Sequence, residues 1–169
     1  MMKSKKANTG KIYGAYGSNI NLEQMQYRCP QARALETGWL NGYRLVFRGS
    51  GVASVIPAPG ERTPVLLWEI TEECEKALDR YEGYPNLYRK ETLAVETAGG
   101  EENAMFYVIN KPYADIPRPP RPYYYATIRE GYAACNLPIR YLQKAIENCG
   151  SECDQIAKYI KARKKKGTK

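Results

Sequence analysis

Lys11-Ile12-Tyr13-Gly14-Ala15-Tyr16-Gly17-Ser18-Asn19-Ile20-Asn21-Leu22 passes from a short apolar run, through a glycine turn, to the start of a capped helix. Lys11 to Tyr16 reads as a strand. Asn21 with Gln24 three residues later resembles a capping box for a helix over about Leu22–Arg28, and Pro30 bounds its far end. Such a strand–turn–helix joint leaves several backbone N–H groups without partners, and groups of this kind bind carboxylates, phosphates or oxyanions. Gly17 permits close backbone approach, while Ser18 and Asn19 add side-chain hydrogen bonds. Ser and Asn ahead of a helix are also ordinary caps, so the turn alone leaves both readings open. No Gly-Lys-Ser/Thr follows, which excludes a P-loop.

Outward from this joint, strand signals come early and helix signals late. Trp39–Phe47 is aromatic and β-branched, and Gly49-Ser50-Gly51 breaks it. Val52–Ile56 and Pro64–Ile70 read as two further strands, separated by Pro57-Ala58-Pro59-Gly60. Thr71 can cap a helix running to about Glu82, with Glu72 and Glu73 in the first turn and Gly83 as the left-handed residue after its end. Arg89–Glu96 and Ala104–Ile109 pair across Ala98-Gly99-Gly100. After a proline-rich crossing from Lys111 to Pro122, two or three helices are expected, over about Tyr124–Cys135, Pro138–Cys149 and Glu152–Lys164, with Gly150 between the last two and Ser151 able to start a new helix there. This order predicts a mixed α/β (α+β) fold, a small and largely antiparallel barrel or sheet flanked by helices. One domain is expected over residues 11–160, between a flexible basic lead (1–10) and a basic tail (161–169).

The chain has 169 residues, 43% of them hydrophobic, enough for one core and too many for disorder over most of its length. No run approaches the roughly 20 apolar residues of a membrane span, and the lysine-rich start lacks the apolar segment of a secretory signal. A cytoplasmic protein is the default reading. The net charge of +8 is concentrated at the ends: residues 1–11 and 158–169 hold eleven of the 26 basic side chains and no acid, leaving 15 basic and 18 acidic residues between them. The body is therefore mildly acidic. A nucleic-acid protein would spread its cations over a binding face, so a solvated helix end explains the tail better than a polyanion site. Neither nucleic acid nor a membrane is an expected partner, and the oligomeric state is left open. Five cysteines form no CxxC pair and there is no histidine, so reduced, mostly buried thiols are expected rather than a metal site.

The helix over 72–82 places Cys74, Ala77, Leu78 and Tyr81 on one face. Glu82, four residues past Leu78, leans toward that face. An ionised carboxylate aimed at a core is costly, and the helix dipole also disfavours it at a C-terminus. Both effects raise its pKa toward the range of a usable general acid and base. The competing reading, a frayed end with Glu82 solvated, is not separated by periodicity. Asp79 and Arg80 are expected to face solvent. Without histidine, Ser18 cannot belong to a Ser-His-Asp triad. Fifteen tyrosines against two phenylalanines point to a polar pocket lined in part by phenols, with surface tyrosines for the rest.

Taken in order, several short markers resemble the γ-glutamylcyclotransferase family, which includes AIG2-like and butirosin-pathway relatives. They are Tyr16-Gly17-Ser18-Asn19-Ile20 after the first strand, Leu78-Asp79-x-x-Glu82-Gly83 with Tyr88 downstream, and Phe106-Tyr107-Val108-Ile109-Asn110. Tyr124-x-x-x-Ile128-x-x-Gly131 and Asn136-Leu137-Pro138 follow, so that the likeness runs from about Lys11 to Ala145. The resemblance implies a compact mixed barrel flanked by helices. It implies that Tyr16, Gly17, Ser18, Asn19 and Ile20 hold substrate, largely through backbone amides, that Glu82 is the catalytic acid/base, and that Tyr88, Tyr107 and Tyr124 line the pocket. It also implies a cofactor-free reaction on a small γ-glutamyl substrate. The α-amine attacks its own γ-carbonyl, 5-oxoproline forms, and an amino acid or amine leaves.

Two departures bear on the leaving group rather than on ring closure. Ile20-Asn21 stands where relatives often carry two leucines or similar residues, and the segment from Glu82 to Tyr88 is shorter than in the animal glutathione-cycle enzymes. Removal of a γ-glutamyl protecting group from a biosynthetic intermediate would use the same site. From a different class, a non-catalytic module would bind a small ligand in the same pocket.

Overall fold

A computed structural model of the chain describes residues 10–167. The expected basic lead, apart from Gly10, lies outside them. The elements are β1 (Lys11–Ala15), α1 (Leu22–Arg28), β2 (Arg33–Arg48), β3 (Val52–Ile70), α2 (Glu72–Glu82), β4 (Tyr88–Thr97), β5 (Gly100–Ile109), α3 (Pro122–Ala134) and α4 (Arg140–Lys166), with short 3-10 turns at Ser18–Ile20 and Tyr113–Asp115. The five strands close into a barrel in the order β1-β3-β2-β4-β5. β1 meets β5 in parallel, at Tyr13 and Met105, and the other pairings are antiparallel. The fold is the mixed, largely antiparallel barrel with flanking helices that the order of elements predicts.

Local chemistry sets the helix ends that matter for the site. Asn21 Oδ1 accepts from the Gln24 N–H at 3.1 Å and starts α1. The Gln24 side chain does not complete the box; its Oε1 takes a bond from Arg28 at 3.4 Å. Thr71 Oγ1 accepts from the Cys74 N–H at 3.2 Å and starts α2, and Gly83, at φ 64°, ends it. Leu78 of α2 is fully buried, a contribution of about 1.5–3 kcal/mol that seats the last turn of the helix on the barrel.

Two expectations need correction, and an open one is decided. β2 begins at Arg33, not Trp39. β3 is one strand of 19 residues where two were expected: Pro57 and Pro64 face Tyr43 and Trp39 of β2, but β1 covers β3 only over Leu66–Ile70, so both prolines sit where the strand has one ladder neighbour. The four residues between Pro57 and Arg62 are taken up by a register shift opposite Asn41 and Tyr43. Of the two or three closing helices, two form, since α4 runs without a break through Gly150 as far as Lys166. Cys149 is buried and Cys153 packs against the core on either side of that glycine, which outweighs the roughly 1 kcal/mol that glycine costs a helix interior.

The core joins the barrel interior to the inner faces of the helices. At Gly14 the Phe106 ring lies on the strand itself; a Cβ would fall 2.1 Å from its Cζ. All five cysteines are free thiols, and burial, with Cys74 alongside, pushes Cys29 up to about 12. Among the described residues no helix is long and apolar enough to cross a membrane.

Candidate active site

The glycine turn and the end of α2, with Ser18 and Tyr81 63 residues apart in sequence, meet around one cavity. After β1 the chain makes a single 3-10 turn in which the Ile20 N–H bonds to Gly17 O and the Asn21 N–H to Ser18 O, each at 3.0 Å. The N–H groups of Gly17, Ser18 and Asn19 have no acceptor among the described residues. Asn19 is the anchor of the turn. Its carbonyl accepts from Trp68 Nε1 at 3.0 Å, its Nδ2 donates to Tyr13 Oη at 2.9 Å, and its Oδ1 accepts from Arg28. α3 presses on the turn from outside through Gly131, where a Cβ would lie 2.7 Å from Asn21 N and 2.8 Å from the Ile20 carbonyl carbon.

Glu82 closes the other side. It is half-buried, lines the cavity, and has no hydrogen-bond or ion-pair partner among the described residues. Burial, opposed by the Arg28 guanidinium, pushes its carboxyl up to about 7. This differs from a solvated helix end. Neighbouring Tyr81 ties the two segments together: its hydroxyl is 3.0 Å from Ser18 Oγ, and Arg28 lies over its ring at 3.4 Å.

Between these segments lies a cavity of about 250 Å³ that gathers Tyr16, Gly17, Ser18, Asn19, Glu82, Tyr88, Tyr107 and Tyr124. Ile20 is the exception among the residues singled out in the sequence. Its side chain is fully buried in the core, away from the cavity, and its amide is spent within the turn. The tyrosine hydroxyls are committed. Tyr16 donates to the Tyr107 carbonyl and Tyr88 to the Ala53 carbonyl, both at 2.6 Å, while the Ala53 N–H donates to Tyr124 Oη at 3.0 Å. Tyr107 donates to Asp79 Oδ1 at 2.6 Å. Burial is the main cause that raises the pKa of Tyr13, Tyr16, Tyr88, Tyr107 and Tyr124. These phenols therefore stay protonated and shape the walls rather than exchange protons.

Asp79 corrects another expectation. It does not simply face water: besides Tyr107 it holds Lys90, at 2.9 Å. Tyr13, Tyr81, Val52, Ala53 and Leu87 also line the cavity and were not singled out. Tyr13 carried a signal, because strand alternation sets Tyr13, Ala15 and Gly17 on one face. Glu82 is the one carboxylate in the lining, and no three Asp, Glu or Cys side chains converge on a metal-sized site among the described residues. A carboxyl that titrates near neutrality, facing a turn with three free amides, can accept and return a proton beside an anion that the amides stabilise.

Comparisons with known proteins point to one family. The family model described as gamma-glutamyl cyclotransferase, AIG2-like, matches residues 13–126. The chain is 27% identical over 144 residues to human gamma-glutamylcyclotransferase and 26% identical over 144 residues to the bovine protein, covering 79% of this chain and 76% of each relative. A solved structure of a gamma-glutamyl cyclotransferase superposes with a TM-score of 0.72 at 26% identity, over 80% of this chain and 86% of that one.

Proposed function

The chain belongs to the gamma-glutamyl cyclotransferase, AIG2-like family of enzymes, and from that premise we propose that it converts a γ-glutamyl amino acid or γ-glutamyl amine into 5-oxoproline and the free amine. The α-amine of the γ-glutamyl group attacks its own γ-carbonyl carbon. The new C–N bond closes a five-membered lactam, and the original amide C–N bond breaks. Glu82 takes a proton from the attacking nitrogen and delivers it to the leaving nitrogen, so the reaction balances with no oxidant, reductant or added water.

The observation that carries this reading is the unpaired Glu82 carboxyl, raised to about 7. A base of that strength holds the proton of the attacking amine and still releases it to the departing nitrogen. The free N–H groups of Gly17, Ser18 and Asn19 fit either the substrate α-carboxylate or the oxyanion that develops at the γ-carbonyl. The attack is intramolecular, so the walls set by Tyr16, Tyr88, Tyr107 and Tyr124 would act by holding the folded-back conformer. A pure binding module has no use for a titrating carboxyl without a partner. The test is 5-oxoproline release from a panel of γ-glutamyl dipeptides and γ-glutamyl amines. Release from at least one class supports the reading. Binding of 5-oxoproline with no turnover across the panel would favour a binding module instead.

A further inference from the structure

A second cavity, of about 260 Å³, shares no lining residue with the first. It lies between the paired strands β2 and β3 and helix α4, with Arg44, Arg62, Thr63, Tyr141, Lys144 and Asn148 in its walls. Its cations differ in how they are compensated. Lys144 pairs with Glu61 at 3.4 Å, and Arg44 lies 3.9 Å from Glu152, which it shares with Arg48 at 2.7 Å. Arg62 has no carboxylate partner; its Nε donates to Tyr141 Oη at 3.3 Å. Arg140 has none either among the described residues, and its Nη2 donates to the same oxygen at 3.4 Å.

Two guanidiniums thus converge on a single neutral oxygen, a like-charge arrangement that is unfavourable by itself. Arg140 moreover opens α4, where the helix dipole disfavours a cation. Arg62 is held in place, lying over the Trp39 ring at 3.7 Å, and Trp39 in turn packs on Tyr141 with ring centroids 5.1 Å apart. The hydrogen bond from Arg62, reinforced by Arg140 against a little burial, lowers the Tyr141 phenol from its ordinary value. Arg62 and Arg140 together present two positive units without a carboxylate, on planar forks that match oxyanion geometry.

We propose that a small dianionic phosphate, either inorganic phosphate or the head of a phosphomonoester, binds at the edge of this cavity, between Arg62 in its wall and Arg140, which lies outside the lining and reaches it at the Tyr141 hydroxyl. The dianion supplies the two charges that the protein leaves uncompensated. Glu61 and Glu152 do not compete with it, since each is already engaged by a cation.

The two tryptophans make the test internal to the molecule. Trp39 supports Arg62, whereas the Trp68 indole donates to Asn19 O beside the first cavity. The indole N–H signals of the ¹⁵N-labelled full chain would be followed during titration with sodium phosphate and, separately, with glycerol phosphate, against sodium chloride at matched ionic strength. The expected result is a saturable shift of Trp39 with Trp68 stationary. Apparent affinity should weaken at least about tenfold in Arg62→Gln and again in Arg140→Gln, as loss of a charged hydrogen bond implies. Both sites are exposed, so thermal unfolding should show both variants folded. Tighter binding of glycerol phosphate identifies a phosphomonoester ligand, and equal or tighter binding of inorganic phosphate identifies the free ion. A Trp39 response no larger than in chloride, a response carried by Trp68, or one unchanged in both variants overturns the proposal.

Discussion

Tyr107 donates its hydroxyl to Asp79 Oδ1 at 2.6 Å while its carbonyl accepts the hydroxyl of Tyr16 at the same distance. One residue of β5 thereby links α2, which carries Glu82, to β1, which carries the glycine turn. Lys90 of β4 braces the link through Asp79 and Glu75 at 2.9 and 2.8 Å.

Breaking that link should loosen both sides of the cavity. Asp79→Ala leaves the Tyr107 hydroxyl unpaired in a half-dry setting and removes one of the two acids at Lys90, a loss of about 1–3 kcal/mol. Asp79→Asn keeps an acceptor and should lose less. Urea unfolding measures both. Because Tyr107 would no longer be fixed, kcat/KM for the proposed ring closure should fall by about tenfold or more in Asp79→Ala.

Glu82 should make stability depend on pH in an unusual direction. Its carboxyl titrates at about 7 when folded, against about 4.3 for an unperturbed glutamate. Between these values the folded chain binds more protons than the unfolded one, so this group's contribution falls as pH rises from about 4.3 to about 7 and is level above that. Glu82→Gln should therefore match the parent near pH 4 and exceed it by roughly 3–4 kcal/mol at pH 8. Equal unfolding midpoints for the two proteins at pH 8 would contradict the raised pKa.

Gly131→Ala tests the seat of the turn. In an exposed helix this change stabilises by up to about 1 kcal/mol. Here the added Cβ would fall 2.7–3.0 Å from Asn21 N, the Ile20 carbonyl carbon and Ile20 Cγ2, and two of those three are backbone atoms that cannot swing away. The expected net effect is a loss of about 1–3 kcal/mol, with a fall in activity because the displaced backbone continues the turn whose Gly17, Ser18 and Asn19 amides are free. Thermal unfolding gives the sign.

What the sequence makes legible here is what is local. Asn21, Thr71 and Gly83 mark the ends of α1 and α2 because caps and a left-handed glycine act within a few residues. Glu82 is singled out for the same reason, as a carboxylate four residues past a buried leucine. The course of β3 through Pro57 and Pro64 is not legible, because it depends on which neighbour strand is missing at each proline, a property of the closed barrel. Asp79 looks like a surface residue until Tyr107 and Lys90 arrive from β5 and β4. Ile20 belongs to the same motif, yet its side chain lies buried in the core beside Gly131 of a distant helix, a contact that only the tertiary fold supplies. The basic stretch from Lys161 is read as a solvated helix end, and its residues up to Lys166 do continue α4.

The most direct test of the central claim is the pH dependence of kcat/KM for 5-oxoproline formation, measured for the parent chain and for Glu82→Gln on the best substrate of a γ-glutamyl panel. The predicted result is an acid limb with a midpoint at about 7 in the parent, and a folded variant whose rate is lower by about 10²–10⁴-fold and lacks that limb. A Glu82→Gln protein that forms 5-oxoproline at the parent's rate, with the same acid limb, would contradict the role of Glu82 as the proton carrier.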